Sequence, residues 1–169
     1  MTETLPGPAL VEEATKKSGL IWVRGEAPAA RALWHVWFDG AAHVVGDGPG
    51  EQPLPGLPAG ATAEVTVRSK DKGGRLVAWT AEVRELAAGS PEWDAAVAEL
   101  KGKRLNAPDG EAMPERWARE CRVLRLEPVD STTDLPDGSL AAVPQPSGAI
   151  TRRPVPAALP RLLLRRRKR

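Results

Sequence analysis

The feature that most constrains the fold is a pair of alternating segments joined by a short turn. Apolar residues occupy every second position over residues 62–69, and the same pattern returns over 75–86 after the turn KDKGG at 70–74. A period of two is typical of strands with one buried face. The sequence therefore predicts an antiparallel hairpin. The side chains predicted to share its buried face are Ala63, Val65, Val67, Val77, Trp79, Ala81 and Val83.

Four further strands are predicted outside this hairpin. Residues 18–24 form an apolar run, which favours burial on both faces. Residues 31–38 alternate and lead into Asp39-Gly40, a dipeptide typical of two-residue hairpin turns, so 41–45 is predicted to return as the partner strand. The last strand is predicted over 117–127, with Leu124 and Leu126 on one face and Cys121 and Val123 on the other.

Two helices are predicted. Residues 8–17 form a short one that ends in two lysines, which suit the negative end of the helix dipole. Ser90-Pro91 indicates the start of the other, with serine as the N-cap and proline in the first turn. Its apolar stripe is Trp93, Val97 and Leu100.

Glycine and proline mark the remaining connections. The chain has 17 Pro and 16 Gly, and residues 46–60 are too rich in both to form a helix or a central strand. Periodicity ends at 129, so we expect one domain over 5–128 and a disordered Pro-rich tail over 129–169. With six strands joined by connections too short for crossovers, the sequence predicts a mainly β (α+β), antiparallel, closed barrel with an N-terminal helix and one late helix.

Composition excludes several kinds of site and location. The single cysteine, Cys121, excludes an internal disulfide, and one cysteine with two histidines argues against structural zinc. The first ten residues do not resemble a secretory signal, and no apolar run approaches the about 18 residues of a membrane span. We therefore expect a cytoplasmic protein without stable membrane insertion.

The basic charge is concentrated in the tail. Residues 151–169 hold eight Lys and Arg and no acidic residue, so the rest of the chain is net acidic. This segment has several open interpretations. It can engage a polyanion, whether nucleic acid or anionic lipid, or a protein partner, and it can equally be a solvated tail without a defined role.

The order of elements, the Val65–Val83 hairpin and three motifs resemble the pyridoxamine 5′-phosphate oxidase-like FMN-binding split-barrel family. The motifs are Val36-Trp37-Phe38-Asp39-Gly40 at the first hairpin, Ser90-Pro91-Glu92-Trp93 at the helix start and Leu126-Glu127-Pro128 at the closing strand. The resemblance covers about residues 8–128 and implies a six-stranded split β-barrel. It also implies a homodimer, with FMN, or alternatively the deazaflavin F420 or haem, in the cleft between the chains.

The cofactor-binding candidates follow from that resemblance and from charge. Family members hold the flavin phosphate with Thr or Ser and a basic residue after the third strand. Residues 46–52 here contain Asp47 and Glu51 and no cation, so a phosphate there would be repelled, although the glycine-rich backbone amides can also bind an anion. The remaining phosphate candidates are Arg68, Ser69, Lys70 and Lys72. For stacking on the ring, the candidates are Trp37 and Trp79.

The sequence leaves alternatives open for the roles of the two histidines and for the function of the protein. His35 and His43 lie on paired strands, where they can transfer protons, ligate a haem iron or simply pack in the core. No nucleophile with a paired base stands at a recognisable spacing, so no catalytic residue is assigned. The first hypothesis is a flavin-binding protein and possible oxidoreductase. The alternative is a cofactor-free barrel whose basic tail engages a polyanion or a partner.

Overall fold

The computed structural model describes residues 7–68 and 75–129, with the side chains of 75 and 76 excepted. Ser69, Lys70, Lys72 and the tail from 130 to 169 therefore lie outside the described residues. None of the described helices is long and apolar enough to span a bilayer. In chain order the elements are α1 (Pro8–Lys17), β1 (Leu20–Arg24), β2 (Arg31–Trp34), β3 (Val36–Phe38), β4 (Ala41–Gly46), β5 (Thr62–Arg68), β6 (Arg75–Glu85), α2 (Pro91–Lys103), a 3₁₀ turn (Gly110–Ala112), α3 (Met113–Glu120) and β7 (Arg122–Pro128).

The strands form one antiparallel sheet that curls into a nearly closed barrel. Their order across the sheet is β2-β1-β5-β6-β7-β4-β3. The two edge strands, β2 and β3, are consecutive in the chain and are separated only by His35. β2 pairs with β1, and β3 pairs with β4. Because one short stretch of chain supplies both edge strands, the sheet must bend until its two edges meet.

The side chain of Gln52 bridges the place where the edges meet, which we call the seam. Its Oε1 accepts a hydrogen bond from the backbone N–H of Trp34 at 2.9 Å. Its Nε2 donates to the carbonyl oxygens of Trp34 at 3.0 Å and Val45 at 3.2 Å. One side chain thus satisfies backbone groups at the point where the chain passes from one edge of the sheet to the other.

Apolar side chains form two clusters, one inside the barrel and one outside it. The inner cluster joins the inward faces of β1, β2 and β4–β7 with Val11 of α1, which packs against β3 and β6. The outer cluster lies between the sheet and helices α2 and α3. The main side chains of the outer cluster are Val36, Val45, Trp93, Val97, Leu100, Trp117 and Val123.

Both predicted hairpins are confirmed. Val65 pairs with Trp79 across β5 and β6, and the apolar positions of both strands face the inner cluster. Asp39 and Gly40 have φ of 49° and 70°, which are the left-handed values that a type I′ turn requires. The N-cap is confirmed as well, because the Ser90 side chain accepts a hydrogen bond from Trp93 N at 3.2 Å.

The strand predictions were wrong in two respects. The sheet has seven strands and not six, because the predicted strand over 31–38 is interrupted at His35, where the chain changes partner strands. In addition, β1 is buried on one face only: Ile21 and Val23 are buried, whereas Leu20 and Arg24 are exposed. Among the described contacts, no helix packs against the outward face of β1. Only the inward-facing residues of this strand are therefore buried, as in a strand with one face on the core.

A second late helix was also missed. Residues Met113–Glu120 form α3, so Trp117 lies in a helix and the last strand begins only at Arg122. Proline in the first turn of α3 fits a helix start. Met113 and Trp117, one turn apart, are both buried, which is the sequence signal that would have identified this helix.

The Gln52 bridge predicts a loss of stability on truncation. Gln52→Ala removes three hydrogen bonds to the backbone of Trp34 and Val45, which should lower the free energy of unfolding by about 2–4 kcal/mol. Urea denaturation measures this, with the exposed strand substitution Thr62→Ala as a control that stays close to the unsubstituted protein. Equal midpoints for the two variants would show that the bridge does not hold the seam.

Candidate functional site

A cavity of about 280 Å³ lies where α1 meets the strands β3, β6 and β7. Its aromatic wall is Trp37 from β3 and Trp79 from β6, which come together because α1 packs against both strands. The size is near the lower end for pockets that take small organic ligands, roughly 300 Å³ and upward. The lining residues are Pro8, Val11, Glu12, Trp37, Gly40, Trp79, Glu127, Pro128 and Val129.

The two tryptophans are packed edge to face. Their ring centroids are 6.1 Å apart and their planes meet at 85°. Trp79 is only 2% exposed, and its indole Nε1 finds no acceptor among the described residues. A buried N–H without a partner is costly, and it is the kind of group that a bound molecule can satisfy. We call this space the tryptophan cavity.

Two carboxylates stand at the rim of the tryptophan cavity. Glu12 projects from the exposed side of α1. Glu127 lies at the end of β7, and its Oε2 is 3.5 Å from Arg84 Nη1 and 3.6 Å from Arg125 Nε. The rim therefore offers hydrogen-bond acceptors, one of which is already shared with two arginines.

A second cavity of about 540 Å³ shares Trp37 with the first. It is bounded by the last turns of α1 and α2 and by β3, and it carries two lysines and one glutamate. We call it the lysine cavity. Its lining residues are Lys16, Val36, Trp37, Ala98, Glu99, Gly102 and Lys103.

Only part of the predicted cofactor-binding set is brought together. Trp37 and Trp79 share the tryptophan cavity. Arg68 lines neither of the two cavities; its guanidinium carbon lies 4.0 Å from the ring centroid of Trp22, on the outward side of β5. Ser69, Lys70 and Lys72 lie outside the described residues. The lysines of the second cavity were not among the sequence candidates.

The acidic residues of the 46–52 segment are paired inside the protein. The side chain of Glu51 is fully buried (0% exposed), with its two oxygens 3.3 Å from Arg104 Nε and 3.1 Å from Arg116 Nη2. The indole Nε1 of Trp117 donates to the same carboxylate at 3.1 Å. Hydrogen bonds to Asp109 and Glu51 raise the pKa of Arg116 above its ordinary value. These contacts join the loop to α2 and α3.

Asp47, the other acid of that segment, is paired in the same way. One of its oxygens accepts from the backbone N–H of Leu54 at 2.7 Å, and the other lies 3.2 Å from Arg122 Nη1. Both carboxylates are therefore compensated by arginines from later in the chain. From the sequence these two carboxylates were expected to repel a phosphate, because the pattern of residues does not show which arginines lie beside them.

The two histidines are packed in the interior. His35 is 0% exposed and its Nε2 is 2.9 Å from the carbonyl oxygen of Thr15, whereas His43 is 1% exposed and lies against Phe38. Burial lowers the pKa of each to about 4. Neither histidine lines the two cavities, and the described residues contain no cluster of three metal-ligating side chains. The geometry fits packing rather than ligation.

Because the two histidines are buried, we expect the protein to become less stable as the pH is lowered. The unfolded chain takes up a proton on each histidine near pH 6.5, but the folded protein does so only near pH 4. The free energy of unfolding should therefore fall as the pH drops through this window, by on the order of 3 kcal/mol per histidine. Denaturant titrations at pH 7.0 and 4.5 measure the loss.

Protonation of carboxylates in ion pairs also lowers the free energy of unfolding at low pH. The variant His35→Gln is therefore compared with the unsubstituted protein, to separate the contribution of the histidine. Glutamine keeps a donor for Thr15 O without a group that titrates in this range. The loss between pH 7.0 and 4.5 should be smaller in this variant. If the variant loses as much stability as the unsubstituted protein, the buried imidazole is not the titrating group.

Comparison with known proteins shows the fold. No family model matches the chain, and no curated protein matches it. HutZ, the haem storage protein of Vibrio cholerae, superposes with a TM-score of 0.54 at 12% identity, over 74% of this chain and 91% of HutZ. The conserved hypothetical protein Rv2991 of Mycobacterium tuberculosis gives 0.54 at 14% identity, over 85% and 94%. The chain has the split-barrel fold of these structures.

Proposed function

We propose that this protein binds a flavin, with the isoalloxazine ring in the tryptophan cavity. The observation that carries the proposal is Trp79, which is buried, stands edge-on to Trp37 and holds an indole N–H without a partner beside a cavity of about 280 Å³. A planar, mostly apolar ring with polar edges satisfies both the aromatic wall and the free donor. The resemblance to FMN-binding split barrels points to the same class of ligand.

The other lining residues fit such a ring. Pro8 and Val11 offer apolar contact from α1. Trp79 Nε1 can donate to a ring carbonyl or ring nitrogen, and the carboxylate of Glu12 can accept from a ring N–H. The cavity thus presents apolar walls with a small number of polar groups, which is the usual character of a small-molecule site.

Redox chemistry would come from the flavin, which transfers hydride or single electrons when bound. The side chains that line the tryptophan cavity include no nucleophile and no histidine, so their part is to bind the ring, orient it and keep water from one side of it. Cys121 is not a candidate nucleophile, because burial raises the pKa of its thiol. An oxidoreductase role is therefore proposed through the cofactor and not through a catalytic side chain.

Haem fits this chain less well than a flavin does. HutZ, which has the same fold, is a haem storage protein. Haem iron in proteins is held most often by histidine, and also by cysteine, methionine or tyrosine. Neither histidine lines the two cavities, nor does Cys121 or Met113, and the chain has no tyrosine. The described lining of the two cavities therefore offers no ligand for a haem iron, whereas a flavin ring needs only the groups already at the cavity.

The rival function is a cofactor-free barrel with a polyanion-binding tail, and it was favoured because the 46–52 segment holds no cation for a phosphate. The arginine pairs of Asp47 and Glu51 neutralise the acidity of this segment within the protein. The tail itself lies outside the described residues.

The Trp79 donor gives a direct test. Riboflavin is titrated into the protein and the quenching of its fluorescence gives the dissociation constant. Trp79→Phe keeps an aromatic ring and removes the N–H, so it should weaken binding by about 3- to 10-fold, as expected for one neutral hydrogen bond. Trp22→Phe, on the outward face of β1, is the matched control and should leave the affinity unchanged.

Two outcomes would contradict the proposal. One is that the unsubstituted protein does not quench riboflavin fluorescence at any concentration up to the solubility of the ligand. The other is that Trp79→Phe and Trp22→Phe both bind as well as the unsubstituted protein does. Circular dichroism of each variant checks that the fold is retained.

A further inference from the structure

The chain leaves the barrel at the edge of the tryptophan cavity. Val129 lines this cavity, and its backbone N–H donates to the carbonyl oxygen of Thr80 at 3.0 Å, one position beyond the end of β7. Residues 161–169 (RLLLRRRKR) come about 30 positions later, and a stretch of that length spans up to about 100 Å, so they can return to the cavity. We call residues 161–169 the basic segment.

The surface beside the tryptophan cavity is acidic. Glu12 and Glu127 stand at the rim, and the register of β6 and β7 places Glu82 directly opposite Glu127. Like charges at opposite positions of an antiparallel pair destabilise a sheet. Glu12 and Glu82 are both exposed, so a cation from another segment can reach them. A cation bound there would reduce the repulsion between the two paired carboxylates.

The neighbouring arginines compensate this charge only in part. Arg84 and Arg125 approach Glu127 Oε2 at 3.5 Å and 3.6 Å, near the outer limit of an ion pair. Arg84 lies closer to another carboxylate, at 3.2 Å from Glu92. Arg125 likewise lies closer to Asp39, at 3.1 Å. Because each arginine is shared with a second acid, the rim of the tryptophan cavity keeps negative charge.

The aromatic wall of the cavity suits an arginine side chain. Guanidinium groups stack on indole rings, where the negative face of the ring attracts the cation. The same contact occurs twice elsewhere in this chain. The guanidinium carbon of Arg68 lies 4.0 Å from the ring centroid of Trp22, and that of Arg104 lies 5.8 Å from the ring centroid of Trp34.

We propose that the basic segment binds in the tryptophan cavity of its own chain and competes there with the flavin. Its arginines meet the acidic rim, and its three leucines meet the apolar wall formed by Pro8 and Val11. A backbone carbonyl of the segment accepts from Trp79 Nε1, which finds no acceptor among the described residues. The contact itself requires no flavin, whereas its effect on flavin affinity rests on the proposed function.

The tether makes this contact effective. A segment attached at the edge of its own binding site has an effective concentration on the order of millimolar, so modest contacts suffice to fill the cavity. A flavin then binds only the fraction of molecules in which the cavity is empty, and its apparent affinity falls by that fraction. Withdrawal of the segment from the cavity therefore raises the affinity for flavin.

The contact is tested first without any flavin, by the indole N–H signals of the full chain. In the double variant Arg166→Gln with Arg167→Gln, the Trp79 signal should shift from its place in the unsubstituted protein. Raised salt should shift the signal of the unsubstituted protein in the same direction, since it screens contacts between exposed charges. The matched control is Arg152→Gln with Arg153→Gln, which removes two arginines of the same tail outside the basic segment and should leave the signal in place.

Competition is then measured by titrating riboflavin, which carries no charge for the tail to attract. The variant Arg166→Gln with Arg167→Gln should bind riboflavin about 3- to 10-fold more tightly than the unsubstituted protein does. The control Arg152→Gln with Arg153→Gln should bind it as the unsubstituted protein does. Circular dichroism checks that both variants keep the fold.

The outcomes separate this inference from the proposed function. A Trp79 signal that stays in place in both variants, or shifts equally in both, overturns the contact and leaves the flavin proposal untouched. A shift that grows with protein concentration places the segment in another copy of the chain and contradicts the intramolecular contact. If no variant binds riboflavin, the proposed function fails, and a shifted Trp79 signal still supports the contact. If riboflavin binds equally well to all three proteins, the competition is wrong.

Discussion

The structure depends on the closure of one sheet by a single stretch of chain. Residues 31–38 supply both edge strands, and the change of partner occurs at His35. Two interactions satisfy polar groups there: the amide of Gln52 bonds to the Trp34 backbone, and the His35 ring bonds to the last turn of α1. Because the seam holds β3 beneath α1, Trp37 meets Trp79 and the tryptophan cavity exists.

A second set of contacts fixes the outer layer without contributing to the cavity. Buried Glu51 bonds to Arg104, Arg116 and Trp117, and thereby ties the glycine-rich loop to α2 and α3. Removing one partner of such a buried cluster leaves an uncompensated charge, so these residues are committed to the fold. The carboxylates of this loop are therefore paired within the protein, and the tryptophan cavity, where we propose that the ligand binds, is lined by other residues.

Local patterns in the sequence were enough to predict elements whose residues are close in the chain. The alternation over 62–86, the Asp39-Gly40 turn and the Ser90 cap each depend on neighbours within a few positions. The interruption at His35 and the pairing of Glu51 with Arg116, 65 residues apart, depend on tertiary contacts, which periodicity cannot reveal. The same limit applies to the site: tryptophans could be named as candidates for stacking, but only the fold brings Lys16 and Lys103 to one cavity.

The central claim is that a flavin ring occupies the space beside Trp79, and indole N–H resonances test it most directly. The chain has six tryptophans, each with one such signal in a nitrogen–proton correlation spectrum. On addition of riboflavin, the Trp79 signal, assigned by substitution, should move most and the Trp117 signal, bonded to Glu51, should stay in place. An unmoved Trp79 signal at saturating riboflavin would contradict the account.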